Sequence, residues 1–158
     1  MRRLLVATLG VALFASMAVA APDMATRGQG VIRVSNATIA LFQFRVWAHE
    51  GEVRGNLSFY EIAPSAWGPR LVNVVRMRAT GLECGGDEAR FGGPGRLNHR
   101  PVNVEVGVVD ARHPGDPNDT PPDLLRVRAI GPDGNVVYAA GGPVVLGDLV
   151  VRCGPPGA

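Results

Sequence analysis

Between residues 28 and 153 apolar and polar residues alternate with a period of two in short runs, and glycine or proline stands between most of the runs. A chain patterned this way offers one face of each run to a core and the other to solvent, which is what a half-buried β-strand requires. The runs are Val31–Val34, Ile39–Ala48, Gly55–Ile62, Leu71–Ala79, Val102–Asp110, Leu124–Ile130, Val136–Ala139 and Leu149–Cys153. Phe42, Phe44 and Val46 oppose Gln43 and Arg45, and Leu57 and Phe59 oppose Asn56 and Ser58. Val102, Val104, Val106 and Val108 oppose Asn103 and Glu105, and Leu125 and Val127 oppose Arg126 and Arg128. No stretch after residue 20 sustains the three-and-four spacing of a helix. Eight such runs in one small domain predict an all-β antiparallel β-sandwich of about eight strands.

The 21 glycines and 13 prolines fall largely between the runs, so they read as turn chemistry rather than disorder. Gly131-Pro132-Asp133-Gly134 predicts a hairpin, with proline setting one torsion and glycine free to take a positive one. Gly92-Gly93-Pro94-Gly95 and Gly141-Gly142-Pro143 read as further reversals. Pro114–Pro122 reads as irregular connection.

The first residues read as an export signal. Met1-Arg2-Arg3 precedes an apolar run from Leu4 to Phe14, and Ala18-Val19-Ala20 offers a small-residue cleavage site. Cleavage after Ala20 is the expectation; an uncleaved anchor over Leu4–Ala21 is the alternative. The expected organisation is then a signal at 1–20, a linker at 21–27, the β-domain at 28–153 and a loose tail at 154–158, in a secreted, periplasmic or cell-envelope protein. In an oxidising compartment Cys84 and Cys153 predict a disulfide, with two separate buried thiols as the alternative.

Charge and composition exclude several chemistries. All 16 basic residues are arginine. Lysine-dependent Schiff bases and phosphate loops are therefore excluded. Without Arg2 and Arg3 the basic residues equal the 14 acids, which argues against nucleic-acid or membrane-surface binding driven by bulk charge. Arg76 with Arg78, and Arg126 with Arg128, lie in same-face pairs that Arg45 could join; adjacent, they would form an anion- or partner-binding stripe, and dispersed, they are solvent-facing residues that guard sheet edges.

The order of features resembles a module of secreted microbial proteins, the post-COAP-type β-sandwich. The shared pattern runs from Gly28-x-Gly30-x-Ile32 through Phe42-x-Phe44-x-Val46, Gly55-x-Leu57-x-Phe59 and Ala89-x-Phe91-Gly92. It continues through Val104-x-Val106-x-Val108-x-Asp110, Pro114-Gly115 and Asp123-x-Leu125-x-Val127 to Gly147-x-Leu149-x-Val151. The resemblance implies a non-catalytic part of an exported protein and transfers no activity.

Catalytic constellations are sparse. Ser35, Ser58 and Ser65 lie outside any Gly-x-Ser-x-Gly setting, with His49, His99 and His113 as the histidines that could partner them. His49-Glu50-Gly51-Glu52 begins like a zinc-protease motif but lacks the second histidine. Glu61, Glu83, Glu105 and Asp110 are the acids that a glycoside hydrolase would need in pairs. Three glycosylation sequons, at Asn36, Asn56 and Asn118, read as chance matches.

Two places remain as candidate sites. Trp67, between Pro64 and Pro69, is a loop aromatic that could stack on a sugar or close the open end of a core. Asp110, Asp116, Asn118, Asp119 and Asp123 supply hard oxygen ligands that calcium accepts, although a metal-free crossover loop explains the same residues. The expectation is a secreted, non-catalytic structural or binding domain that needs no cofactor and has an extracellular or cell-envelope partner. It would bind neither nucleic acid nor, after signal cleavage, membrane. A small extracellular hydrolase and a cell-envelope adhesion or carbohydrate-binding domain are the alternatives.

Overall fold

A computed structural model describes residues 24–111 and 121–154; the stretch read as a signal (1–20), the middle of the Asp110–Asp123 connection and residues 155–158 of the tail lie outside it. Nine strands follow one another: β1 Met24–Arg33, β2 Ile39–His49, β3 Glu52–Ser65, β4 Gly68–Arg78, β5 Gly81–Gly85, β6 Glu88–Leu97, β7 Arg100–Val109, β8 Leu124–Ile130 and β9 Val136–Arg152. There is no helix among the described residues. β1 begins at Met24, inside the stretch read as a linker.

The expected sandwich is corrected to a closed barrel. Each strand pairs antiparallel with the next except β4 with β5, which both pair with β6, and β1 returns to β9 through Ala25↔Arg152 to Ile32↔Val144. A sandwich and a barrel share the same in–out alternation, and only the pairing of first with last strand separates them. Nine segments make eight staves because β4 and β5 lie in line. Ala79 N–H still donates to Gly55 O on the β3 side, whereas Thr80 N–H donates to Gly92 O on β6. β4 then pairs with β6 through Val75–Met77, and β5 pairs with β6 through Gly81–Gly85.

Two presumed reversals are strand interior. Gly92–Gly95 belongs to β6, where a Cβ on Gly93 would run into the Arg78 carbonyl; glycine there permits close approach of strands rather than a turn. Gly141-Gly142-Pro143 lies within β9. That strand serves two neighbours in succession, Val136–Pro143 against β8 and Val144–Arg152 against β1. The change of partner goes through a register shift, and Gly147, with φ 104°, bends the chain where a Cβ would meet the Gln29 carbonyl. The Gly131–Gly134 hairpin forms as expected: Gly134 N–H donates to Gly131 O at 3.0 Å, and Gly134 has φ 81°.

The inward positions are filled by side chains. Phe42, Phe44, Phe59, Phe91, Leu57 and Leu125 are buried together with the Val102–Val108 stripe. Phe44 and Phe91 meet at 5.0 Å between centroids. The interior is therefore a packed core, as small barrels require. Outward positions carry Arg27, Gln43, Arg45, Arg76, Glu105 and Arg128, all exposed.

Cys84 and Cys153 form the expected disulfide, with Cα atoms 5.4 Å apart. It joins β5 to the end of β9, strands that are four places apart along the sheet. The bond therefore ties together staves that no backbone ladder connects. A disulfide is compatible with an oxidising compartment.

Candidate functional site

Turns alternate between the two barrel ends. One end carries the turns around Asn36, Trp67, Asn98 and Asp133, and the other carries the His49–Gly51 turn, the Gly86 turn, Asp110–Asp123 and the disulfide.

At the first end β3 and β4 run on as a hairpin past the packed core, with Pro64, Ser65, Pro69, Arg70 and Leu71 all exposed. Trp67 stands at its tip with 98% of its surface accessible, so it does not close the core. The loop is braced from within: Ser65 Oγ donates to Gly68 O at 2.6 Å and accepts Trp67 N–H at 3.3 Å. Leu71 lies opposite Ile62, which lies opposite Ile39, and in the next row Val74, Tyr60, Leu41, Val31 and Leu146 follow one another across five strands. Leu71, Ile39, Leu41 and Leu146 are exposed, so an apolar band runs round the outside beneath the hairpin.

Inside the same end lies a polar network that the sequence reading missed. The Tyr138 hydroxyl donates to Glu61 Oε2 at 2.7 Å, and Asn73 Nδ2 donates to the same oxygen at 2.8 Å. Asn98 donates its amide to Asn73 Oδ1 at 2.9 Å and accepts Val74 N–H at 2.8 Å. Burial, and then the hydrogen bond to Glu61, push the Tyr138 phenol far above its ordinary value. The signal was present: Glu61 continues the inward parity of Leu57 and Phe59, so a carboxylate there must point into the barrel mouth and find donors.

At the other end Asp110 and Asp123 come together at the barrel corner. Beyond Pro143, β9 leaves β8, and the two aspartates supply acceptors for its backbone. Asp123, fully buried, accepts Ala111 N–H at 3.0 Å on one carboxylate oxygen and Leu149 N–H at 3.3 Å on the other, while its carbonyl accepts Val144 N–H at 2.8 Å. Asp110 accepts Val151 N–H at 3.0 Å. Partial burial chiefly raises the Asp110 carboxyl above its ordinary value; the Val151 bond opposes this and the charges of Asp123, Asp148 and Asp87 add to it. Asp116, Asn118 and Asp119 lie outside the described residues, as does His113. Among the described residues no group of three or more His, Cys, Asp or Glu side chains is arranged to hold a metal ion.

The remaining candidates are dispersed. His49 ends β2 and His99 lies in the β6–β7 turn, at opposite ends of the barrel. Ser35 accepts Thr38 N–H at 3.1 Å in its own turn, and Ser58 faces outward on β3 beside Gln43. Glu105 pairs with Arg128 at 3.3 Å across β7 and β8. Glu83 sits opposite Arg90. An open groove of about 1000 Å³ crosses β5 to β8, bordered by Arg90, Arg126 and Arg128, with Gly107 between Arg90 and Arg126.

The register settles how the arginines are arranged. Arg78, Asn56, Arg45 and Arg27 form one row across β4, β3, β2 and β1. Arg96, Arg76, Ser58, Gln43 and Gln29 form the next, starting on β6. Arg126 and Arg128 lie apart from these on β8, among Glu83, Glu88 and Glu105. The small net charge of +2 thus hides a two-sided distribution. No family model, curated protein or solved structure matches the chain.

Proposed function

We propose that the chain is an exported, non-catalytic binding protein that engages extracellular or cell-envelope carbohydrate from the outside of its barrel, with Trp67 as the principal contact. The observation that carries this reading is the accessibility of the Trp67 ring on a hairpin braced by Ser65. An exposed indole on a braced turn offers an apolar face to the C–H face of a sugar ring. The packed interior supports the reading, because ligand contacts then fall to the exterior. The disulfide is consistent with export. Retention of the purified domain on its host's cell-wall polysaccharide tests the proposal. Trp67→Ala should abolish retention without moving the unfolding midpoint, since the ring supports no core contact. Undiminished retention by that variant would remove Trp67 from the function.

The hydrolase alternative has one observation in its favour, the Glu61 carboxylate bonded to Tyr138 at the barrel mouth. It requires turnover that Glu61→Gln eliminates while the fold persists.

A further inference from the structure

The outward face of β1 to β4 concentrates positive charge to a degree the total charge conceals. Arg27, Arg45, Arg76, Arg78 and, from β6, Arg96 are all exposed on two adjoining cross-strand rows. Glu52 is the outward carboxylate on β1–β4, and Arg54 already holds it at 2.9 Å; that bond, helped by the charge of Arg78, keeps the Glu52 carboxyl below its ordinary value, and the nearest carboxylate beyond β1–β4 is Asp148, opposite Gln29 on β9. None of the five arginines makes an ion pair among the described residues.

The arrangement costs stability as it stands. Arg27 lies directly opposite Arg45, and Arg76 directly opposite Arg96. Like charges at facing positions of an antiparallel pair repel. Within the field the uncharged positions are Gln29, Gln43, Asn56 and Ser58, which offer donors and acceptors rather than countercharge.

We infer that this face is a binding site for an anionic polysaccharide, a linear chain carrying carboxylate or sulfate groups. Guanidinium groups take such anions with two parallel N–H bonds, and the intervening amides and hydroxyl suit sugar hydroxyls. Neighbouring strands place arginines about 5 Å apart and positions two residues along a strand about 7 Å apart, so a chain laid across the sheet meets several in succession. The same chemistry is less suited to single-stranded nucleic acid, because the tryptophan on this face is already covered. Arg45 covers the Trp47 ring at 5.6 Å, and the Tyr60 hydroxyl accepts from Arg76 at 3.5 Å. Single-strand recognition relies on open stacking platforms. The disulfide also favours a ligand of oxidising compartments. The site is distinct from Trp67, which stands beyond the apolar band on the same strands.

The experiment measures affinity and unfolding midpoint of the domain with polygalacturonate, heparin, neutral dextran, duplex and single-stranded DNA, and anionic phospholipid vesicles. The expected result is salt-dependent binding of polygalacturonate or heparin, no binding of dextran through this face, and a midpoint raised by the polyanion. Arg27→Ala/Arg45→Ala should weaken binding at least tenfold, whereas Arg126→Ala on the far side should leave it within twofold. At low salt without ligand, Arg27→Gln should raise the midpoint by relieving the facing pair. Tighter binding of DNA, or of vesicles, than of either polysaccharide would overturn the assignment, as would unchanged affinity in the double variant. Trp67→Ala should leave polyanion binding intact, so failure of the hairpin reading and failure of this one give different results.

Discussion

Replacing Tyr138 with Phe deletes one hydroxyl and leaves the ring edge-on to Phe59, 6.4 Å between centroids. The lost bond is a short one, 2.7 Å to a partly buried Glu61 oxygen that also accepts from Asn73 at 2.8 Å. A hydrogen bond to a charged group contributes about 1.5–3 kcal/mol. Because Asn73 remains and the mouth is partly open, the lower figure applies, about 1.5 kcal/mol. For a domain of this size that lowers the unfolding midpoint by roughly 5 °C. A cycle with Glu61→Gln should return a coupling of about 1 kcal/mol. The pH dependence has a definite sign. Burial and the Glu61 bond favour the neutral phenol and raise its pKa above the ordinary 10.0, so its contribution is complete below pH 10 and is lost as pH rises through the elevated value. The gap between wild type and Tyr138→Phe should therefore be constant from neutrality to pH 10 and narrow beyond it. Chemical denaturation across that range measures it. A coupling below about 0.3 kcal/mol, within the additivity of independent sites, would refute the network as a stabilising unit.

Reducing the Cys84–Cys153 bridge, whose partners are 69 residues apart, should cost up to about 4 kcal/mol through the freed unfolded chain while the β circular dichroism stays native at room temperature; two free thiols in secreted material would contradict the bridge. Thr26 is buried and its hydroxyl oxygen has no hydrogen-bond partner among the described residues, so Thr26→Val should stabilise by about 1 kcal/mol, and a loss of stability would mean the hydroxyl has a partner. Asp123→Ala should destabilise by about 3 kcal/mol or more because Ala111 and Leu149 N–H lose their acceptor, with Asp123→Asn retaining part of it, as equilibrium denaturation would measure. With both Asp123 oxygens taken by backbone donors, millimolar calcium and chelator should give the same wild-type midpoint; a calcium-dependent rise would show that the connection holds an ion.

The parity of most strands was legible in the sequence because burial alone decides it. Phe42, Phe44 and Val46 face in and Gln43 and Arg45 face out, as do their counterparts on β7 and β8. Closure was not legible, since the β1–β9 ladder joins residues over a hundred positions apart whose alternation is the same in an open or a closed sheet. β6 was missed for a local reason. Its glycines remove the alternating side chains that announce a strand, and they do so because neighbouring backbone lies too close for a Cβ. The arginine field was legible only in halves, Arg76 with Arg78 along one strand; the facing of Arg27 with Arg45 and of Arg76 with Arg96 is a property of register. Glu61 could have been singled out by parity, but its partner Tyr138 is 77 residues away on another stave.

A closed, filled barrel leaves its outer surface for ligand contacts. Amide and indole chemical-shift mapping of the protein during titration with its host's cell-wall polysaccharide locates those contacts. Perturbation is expected at the Trp67 indole and, for anionic chains, at Arg27, Arg45, Arg76 and Arg78, with the inward amides of Phe44, Phe59 and Val106 unmoved. Perturbation centred on Phe59, Glu61 and Tyr138, with the outer face silent, would place the ligand inside the barrel and contradict this expectation.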